Sequence, residues 1–94
     1  MLELPIDRII KKWRYRLLRA KSIEFVHIYY EDEDSKNPYR IWIVWKPNIY
    51  TKSWGVALAS LESLERFIKE VLLDDKVRGK IKELKDELNI IKGK

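Results

Sequence analysis

The chain of 94 residues carries a net charge of +5 and is 46% hydrophobic and 37% charged, the balance of one small folded domain rather than a disordered tail. Cysteine is absent, which excludes a disulfide framework and thiolate metal sites. No apolar run is long enough to cross a bilayer, and the excess of base favours a polyanionic partner.

Met1 to Ile10 holds acids and a proline and lacks a secretory apolar region, so a cytoplasmic protein is expected. The chain is rich in Ile, Lys and Glu and has no Gln, the bias of proteins from very hot environments. Leu4-Pro5-Ile6-Asp7 starts a helix, with Pro in the first turn and Asp suited to the helix dipole. Ile6, Ile9, Ile10, Trp13, Leu17 and Ala20 fall on one face of it. Arg8, Lys12, Tyr15 and Arg19 lie opposite, flanked by Lys11 and Arg16. From Arg8 to Lys21 there are seven cations and no acid. Such a face is commonly only solvated, and a membrane-surface helix has a similar pattern. The missing acids favour phosphate contact, and the strands that follow favour packing of the apolar stripe on a sheet.

Ser22 to Tyr30 is a strand, apolar on both faces apart from Glu24 and His27. Glu31 to Pro38 is an acidic hairpin turn that lacks the oxygen pattern and glycine of a calcium loop. Tyr39 to Lys46 alternates at period two. Tyr39, Ile41, Ile43 and Trp45 suit a core, while Arg40, Trp42, Val44 and Lys46 form a cation–aromatic–aliphatic–cation row. Alternate side chains on a strand stand roughly 6.5–7 Å apart, close to the base spacing of a stretched single strand. The competing reading is a buried central strand whose Arg and Lys extend past its ends. Lys46-Pro47-Asn48 turns the chain, and Ile49 to Ala59 follows. Gly55, Ala57 and Ala59 let a helix approach closely, which leaves Trp54, Val56 and Leu58 on the other side, core or open cleft.

Ser60 suits the N-cap of a helix over 61–73, with Leu61, Leu64, Phe67, Ile68, Val71 and Leu72 as its buried stripe. Asp74-Asp75 marks a boundary and a fresh start. Val77, Ile81, Leu84, Leu88 and Ile91 then alternate in steps of four and three, a short heptad seam. This predicts a nucleic-acid-binding unit over 1–73 and a dimerisation helix over 76–92. A helix folded back on its own domain is the alternative.

Signals for catalysis are weak. His27 is the only histidine, no nucleophile pairs with it by spacing, and no phosphate loop or metal-ligand spacing occurs. The expectation is a protein that is not an enzyme and holds no cofactor or metal. What remains is aromatic and basic: four Trp and five Tyr among many cations. Trp13 and Trp45 are assigned to the core. Trp42, Trp54 and Tyr50 are assigned to a groove, rimmed by Arg40, Lys46 and Lys52. Stacking contributes roughly 1–3 kcal/mol per base, and cation–phosphate contacts add a salt-dependent term. A duplex is a poorer partner, since there is no recognition helix or zinc finger.

A basic amphipathic helix, an aromatic antiparallel sheet containing YRIWIVWKP, a following helix and a zipper segment together resemble the ThermoDBP family. These are single-stranded-DNA-binding proteins of hyperthermophilic archaea, with relatives in other archaea. The resemblance implies a cleft with an apolar floor, here Trp42 and Trp54, a basic rim, here Arg40 and Lys46, and a zipper-mediated dimer. The expected fold is therefore α+β: a three- to four-stranded antiparallel sheet with an N-terminal basic helix, a following helix and a C-terminal zipper-like helix. The expected partners are single-stranded DNA or RNA and further copies of the chain, as a homodimer or higher homo-oligomer, with no membrane. A small basic endoribonuclease of toxin type and a protein–protein assembly module are the alternatives.

Overall fold

Two hydrophobic periods meet in this chain, one of 3.6 residues and one of 2, and they share a single core. The computed structural model describes residues 4–31 and 33–87. The elements are β1 (Leu4–Pro5), α1 (Ile6–Arg19), β2 (Ser22–Tyr30), β3 (Tyr39–Lys46), β4 (Ser53–Ala59), α2 (Leu61–Phe67), α3 (Asp75–Arg78) and β5 (Leu84–Asp86). They form an α+β fold around a mixed sheet of order β1-β4-β3-β2-β5. The central β2-β3-β4 meander is antiparallel, as expected, whereas β1 and β5 add to its edges in parallel.

The inner face of the sheet carries Ile23, Val26 and Ile28 from β2, Ile41, Ile43 and Trp45 from β3, and Ala57 and Ala59 from β4, all buried. Helix α1 lays Ile6, Ile10, Trp13 and Leu17 onto them, joined by Ala20 just past its end. The small residues of β4 decide how close it comes. A Cβ on Gly55 would stand 2.8 Å from Trp13 Cζ2, so only glycine lets that indole lie against the strand. Phe67 meets the same indole edge-on, with ring centroids 6.0 Å apart. Pro5 precedes the helix rather than sitting within it: Leu4 and Pro5 pair with Ala57 and Leu58.

Ser60 caps α2 by accepting from the Ser63 backbone N–H at 3.1 Å. The helix widens into a π-helical turn at Ile68–Leu72, closed by the Leu73 N–H donating to the Ile68 carbonyl. Leu64, Phe67, Ile68, Val71 and Leu72 are buried. Leu61, at the margin of the stripe in the first turn, is exposed instead.

The largest departure from expectation follows Asp74. The helix expected over 76–92 is one turn long, Asp75–Arg78, and the chain then becomes a strand. Val77 is fully buried in the core, Ile81 bridges to Ile23, and Leu84 pairs with Val26 in β5. Three residues of the supposed seam are thus used within the chain's own domain, and the boundary at Asp74-Asp75 is a turn between packed elements. Leu88 and Ile91 lie outside the described residues. The physical reason is local. Asp74 caps a new helix through the Lys76 N–H at 2.9 Å, and that helix is only one turn long, with Gly79 at its C-cap. Backbone bonds from Ile23 to Lys80, Lys82 to Ile23 and Val26 to Glu83 then tie the segment to the free edge of β2. The Lys80 ammonium also donates to the Leu17 and Leu18 carbonyls, capping the C-terminus of α1.

Candidate nucleic-acid interface

Because β-strand side chains alternate, burying Ile41, Ile43 and Trp45 turns Arg40, Trp42, Val44 and Lys46 to the opposite face. Among the described residues no helix covers that face. Its neighbours follow from register. Trp42 lies between His27 of β2 and Val56 of β4, and Val44 between Phe25 and Trp54. Arg40 lies between Tyr29 and Leu58. A bulge between Ile23 and Phe25 sets this phase, so β2 contributes Phe25, His27 and Tyr29 to the open face.

The result is an aromatic surface. Phe25 meets the Trp42 indole edge-on at 5.4 Å, and the His27 ring lies 4.6 Å from Tyr29 and 6.5 Å from Trp42. His27 is held from the edge by Glu87, Nε2 to Oε1 at 3.0 Å. Trp42 is 39% exposed and Trp54 56%. Between them runs a shallow, almost wholly apolar groove of about 360 Å³, lined by Trp42, Val44, Lys52, Ser53, Trp54 and Val56. Two large, partly exposed indoles beside one groove form a contiguous apolar patch rather than scattered surface side chains. Trp13 and Trp45, by contrast, are buried.

The expected rim divides. Lys46 and Lys52 make no ion pair among the described residues, and Lys52 borders the groove. Arg40 is different: its guanidinium is paired with the Glu31 carboxylate and is three-quarters buried. It anchors the start of the acidic turn and is not a free rim cation, a correction to its expected role. Glu31 lies next in sequence to the end of β2, directly beside the Tyr30–Tyr39 pair, which places a carboxylate within reach. Tyr50 is 86% exposed in the β3–β4 turn, outside the residues lining the groove. That turn is shaped by Asn48, whose Oδ1 accepts from the Tyr50 and Thr51 N–H groups at 2.8 and 3.0 Å.

The basic residues of α1 stand on the other layer. Arg8, Lys12, Tyr15 and Arg19 are exposed on its outer side, so they do not join Trp42 and Trp54. Arg19 stacks over the Tyr15 ring at 5.3 Å. Arg14, on the other flank, is committed to the Asp74 carboxylate at 3.2 Å and the Glu70 carbonyl. Tyr15, Arg16 and Arg19 instead line a second hollow of about 450 Å³ with Trp45, Pro47 and Ser53.

Phe25, His27 and Tyr29 were not assigned to the surface by sequence reasoning. The available signal was the two-sided apolar character of β2, which a strand with one covered face does not need. The bulge that fixes its phase leaves no motif. Among the described residues no group of His, Asp or Glu is arranged to hold a metal ion, and no helix is long and apolar enough to cross a membrane. Comparison of the chain with protein-family models, with curated proteins and with solved structures found no match.

Proposed function

We propose that this protein binds single-stranded nucleic acid, DNA or RNA, on the open face of its sheet, without catalysis and with little sequence preference. One observation carries the reading: two exposed tryptophans flank an apolar groove bordered by Lys52, which makes no ion pair among the described residues. Every base has a π-face, so indoles stack single-stranded bases in any order, and lysines hold the phosphates between them. Trp42 and Trp54 are the stacking platforms, Lys46 and Lys52 the phosphate contacts, and Phe25 and Tyr29 extend the aromatic floor. In a duplex the same base faces are already stacked, so an aromatic floor has little to gain from it. Resemblance to the ThermoDBP proteins and a cytoplasmic location belong to the same proposal.

The test is tryptophan fluorescence during titration with a single-stranded oligonucleotide at low and moderate salt, against a duplex control. Quenching by the single strand, with affinity falling as salt rises, is the expected result. Binding without quenching would take the contact away from the indoles. No binding at either salt, with intact labelled RNA after incubation, would leave the apolar face to a protein partner. Cleavage of the RNA would make the protein a nuclease.

A further inference from the structure

We propose that the hollow formed by Tyr15, Arg16 and Arg19 is a second subsite for the same bound strand, which leaves the tryptophan groove and turns around Ser53 into it. The inference rests on the single-strand reading and extends it to a path. Ser53, the first residue of β4, borders both the groove between Trp42 and Trp54 and the hollow beside α1. The two depressions therefore share Ser53 as a common wall at the end of the sheet where the β3–β4 turn emerges.

Their chemistry is complementary. The first is apolar and suits bases. The second carries two guanidinium groups, neither in an ion pair among the described residues, and a Tyr15 ring that is 61% exposed. The 5.3 Å stack of Arg19 on Tyr15 orders that charge beside an aromatic surface, an arrangement that holds a phosphate while the ring faces a base or sugar. Spacing along the helix brings this about, because residues four apart share a face and Tyr15 and Arg19 are such a pair. A path that turns around one edge of a domain only 20 Å thick in its shortest dimension requires a flexible chain. Single strands bend on that scale, whereas a duplex is stiff over about 150 base pairs. The bend is thus a second reason, besides stacking, for preferring single strands.

Oligothymidylates of about 4 and about 12 nucleotides, the span of small single-strand sites, separate the two subsites. They are titrated into the wild-type protein, an Arg16→Ala/Arg19→Ala variant and a Lys11→Ala/Lys69→Ala control. The control loses equal charge from exposed positions outside both depressions. In the wild type the longer strand is expected to bind at least about tenfold more tightly, with a salt slope steeper by about 1.4 for two further phosphate contacts. The Arg16/Arg19 variant loses that gain and that slope yet binds the short strand within about twofold of wild type; the control keeps all three. If the short strand binds and the variant holds the long strand as wild type does, the second subsite is overturned and the groove stands. Equal loss in the control overturns it too, since charge alone is then acting. If neither strand binds the wild type, the groove and the path fall together. Thermal melting of each variant at the wild-type temperature verifies that these surface changes leave the fold intact.

Discussion

Four tryptophans in one small chain have two different occupations, and burial separates them. Trp42 projects from β3 onto the open face and Trp45, three residues on, into the core. Trp42→Ala is expected to leave the protein folded and to weaken single-strand binding by about 1–3 kcal/mol, roughly fivefold to a little over a hundredfold in Kd. Trp45→Ala should instead cost about 3–5 kcal/mol of folding stability, seen as a fall in the denaturation midpoint. Should Trp42→Ala unfold the chain, the platform is part of the core. Gly55 offers a second residue-level test. Ala there places a methyl against a buried indole already fixed by Phe67, so overpacking of about 1–3 kcal/mol is expected in chemical denaturation.

At the scale of elements, the segment after Asp74 belongs to the domain it follows. Val77→Ala removes fully buried methyl groups and should lower stability by about 2 kcal/mol, with no change of oligomeric state in light scattering. A zipper residue would have altered assembly. The attachment is also acid-sensitive. The Lys76 backbone N–H chiefly, with that of Val77 and the Arg14 guanidinium, holds the Asp74 carboxyl below its ordinary value. The Ser22 hydroxyl, then Lys82, does the same for Glu24, which links β2 to the chain leading into β5. A carboxylate depressed in the folded state adds stability that is complete above its unfolded value, about 4, and is lost as pH falls through the lower folded value. The melting temperature should therefore drop from about pH 5 downwards. Asp74→Asn and Glu24→Gln, which keep an acceptor but no titrating charge, should flatten that fall.

For the molecule as a whole, charge is arranged along β3. The acidic turn lies at one end and Lys46, with the turn leading to Lys52, at the other. An eight-residue strand spans about 25 Å, more than two Debye lengths at physiological salt, so the acids scarcely oppose an anion at the far end. Pairing of Glu31 with Arg40 lessens their effect further. Lys52→Ala is expected to reduce the slope of log affinity against log salt by about 0.7, the share of one single-strand phosphate contact. No change in slope would remove Lys52 from the interface.

Much was legible in the chain because the signals were local. Period-two alternation over 39–46 told the core side of β3 from the side of Trp42, and the small residues of β4 foretold the close helix and put Trp54 on the opposite side, though not whether that side was core or open cleft. The apolar stripe of α1 was read in the same way. What could not be read depends on residues distant in sequence. A heptad-like spacing over 77–91 is compatible with a helix, and only the free edge of β2 makes strand pairing the better use of Leu84. A cation beside an aromatic row is a rim until a carboxylate from the next turn claims it, as Glu31 claims Arg40. The bulge in β2 selects which of its two apolar faces is left open, and nothing in local propensity does so. By itself, then, the sequence determined the periodicities, and with them the elements and their buried sides. Tertiary structure alone decided which edge, which charge and which face stayed available, because those are set by the neighbour that reaches each group first.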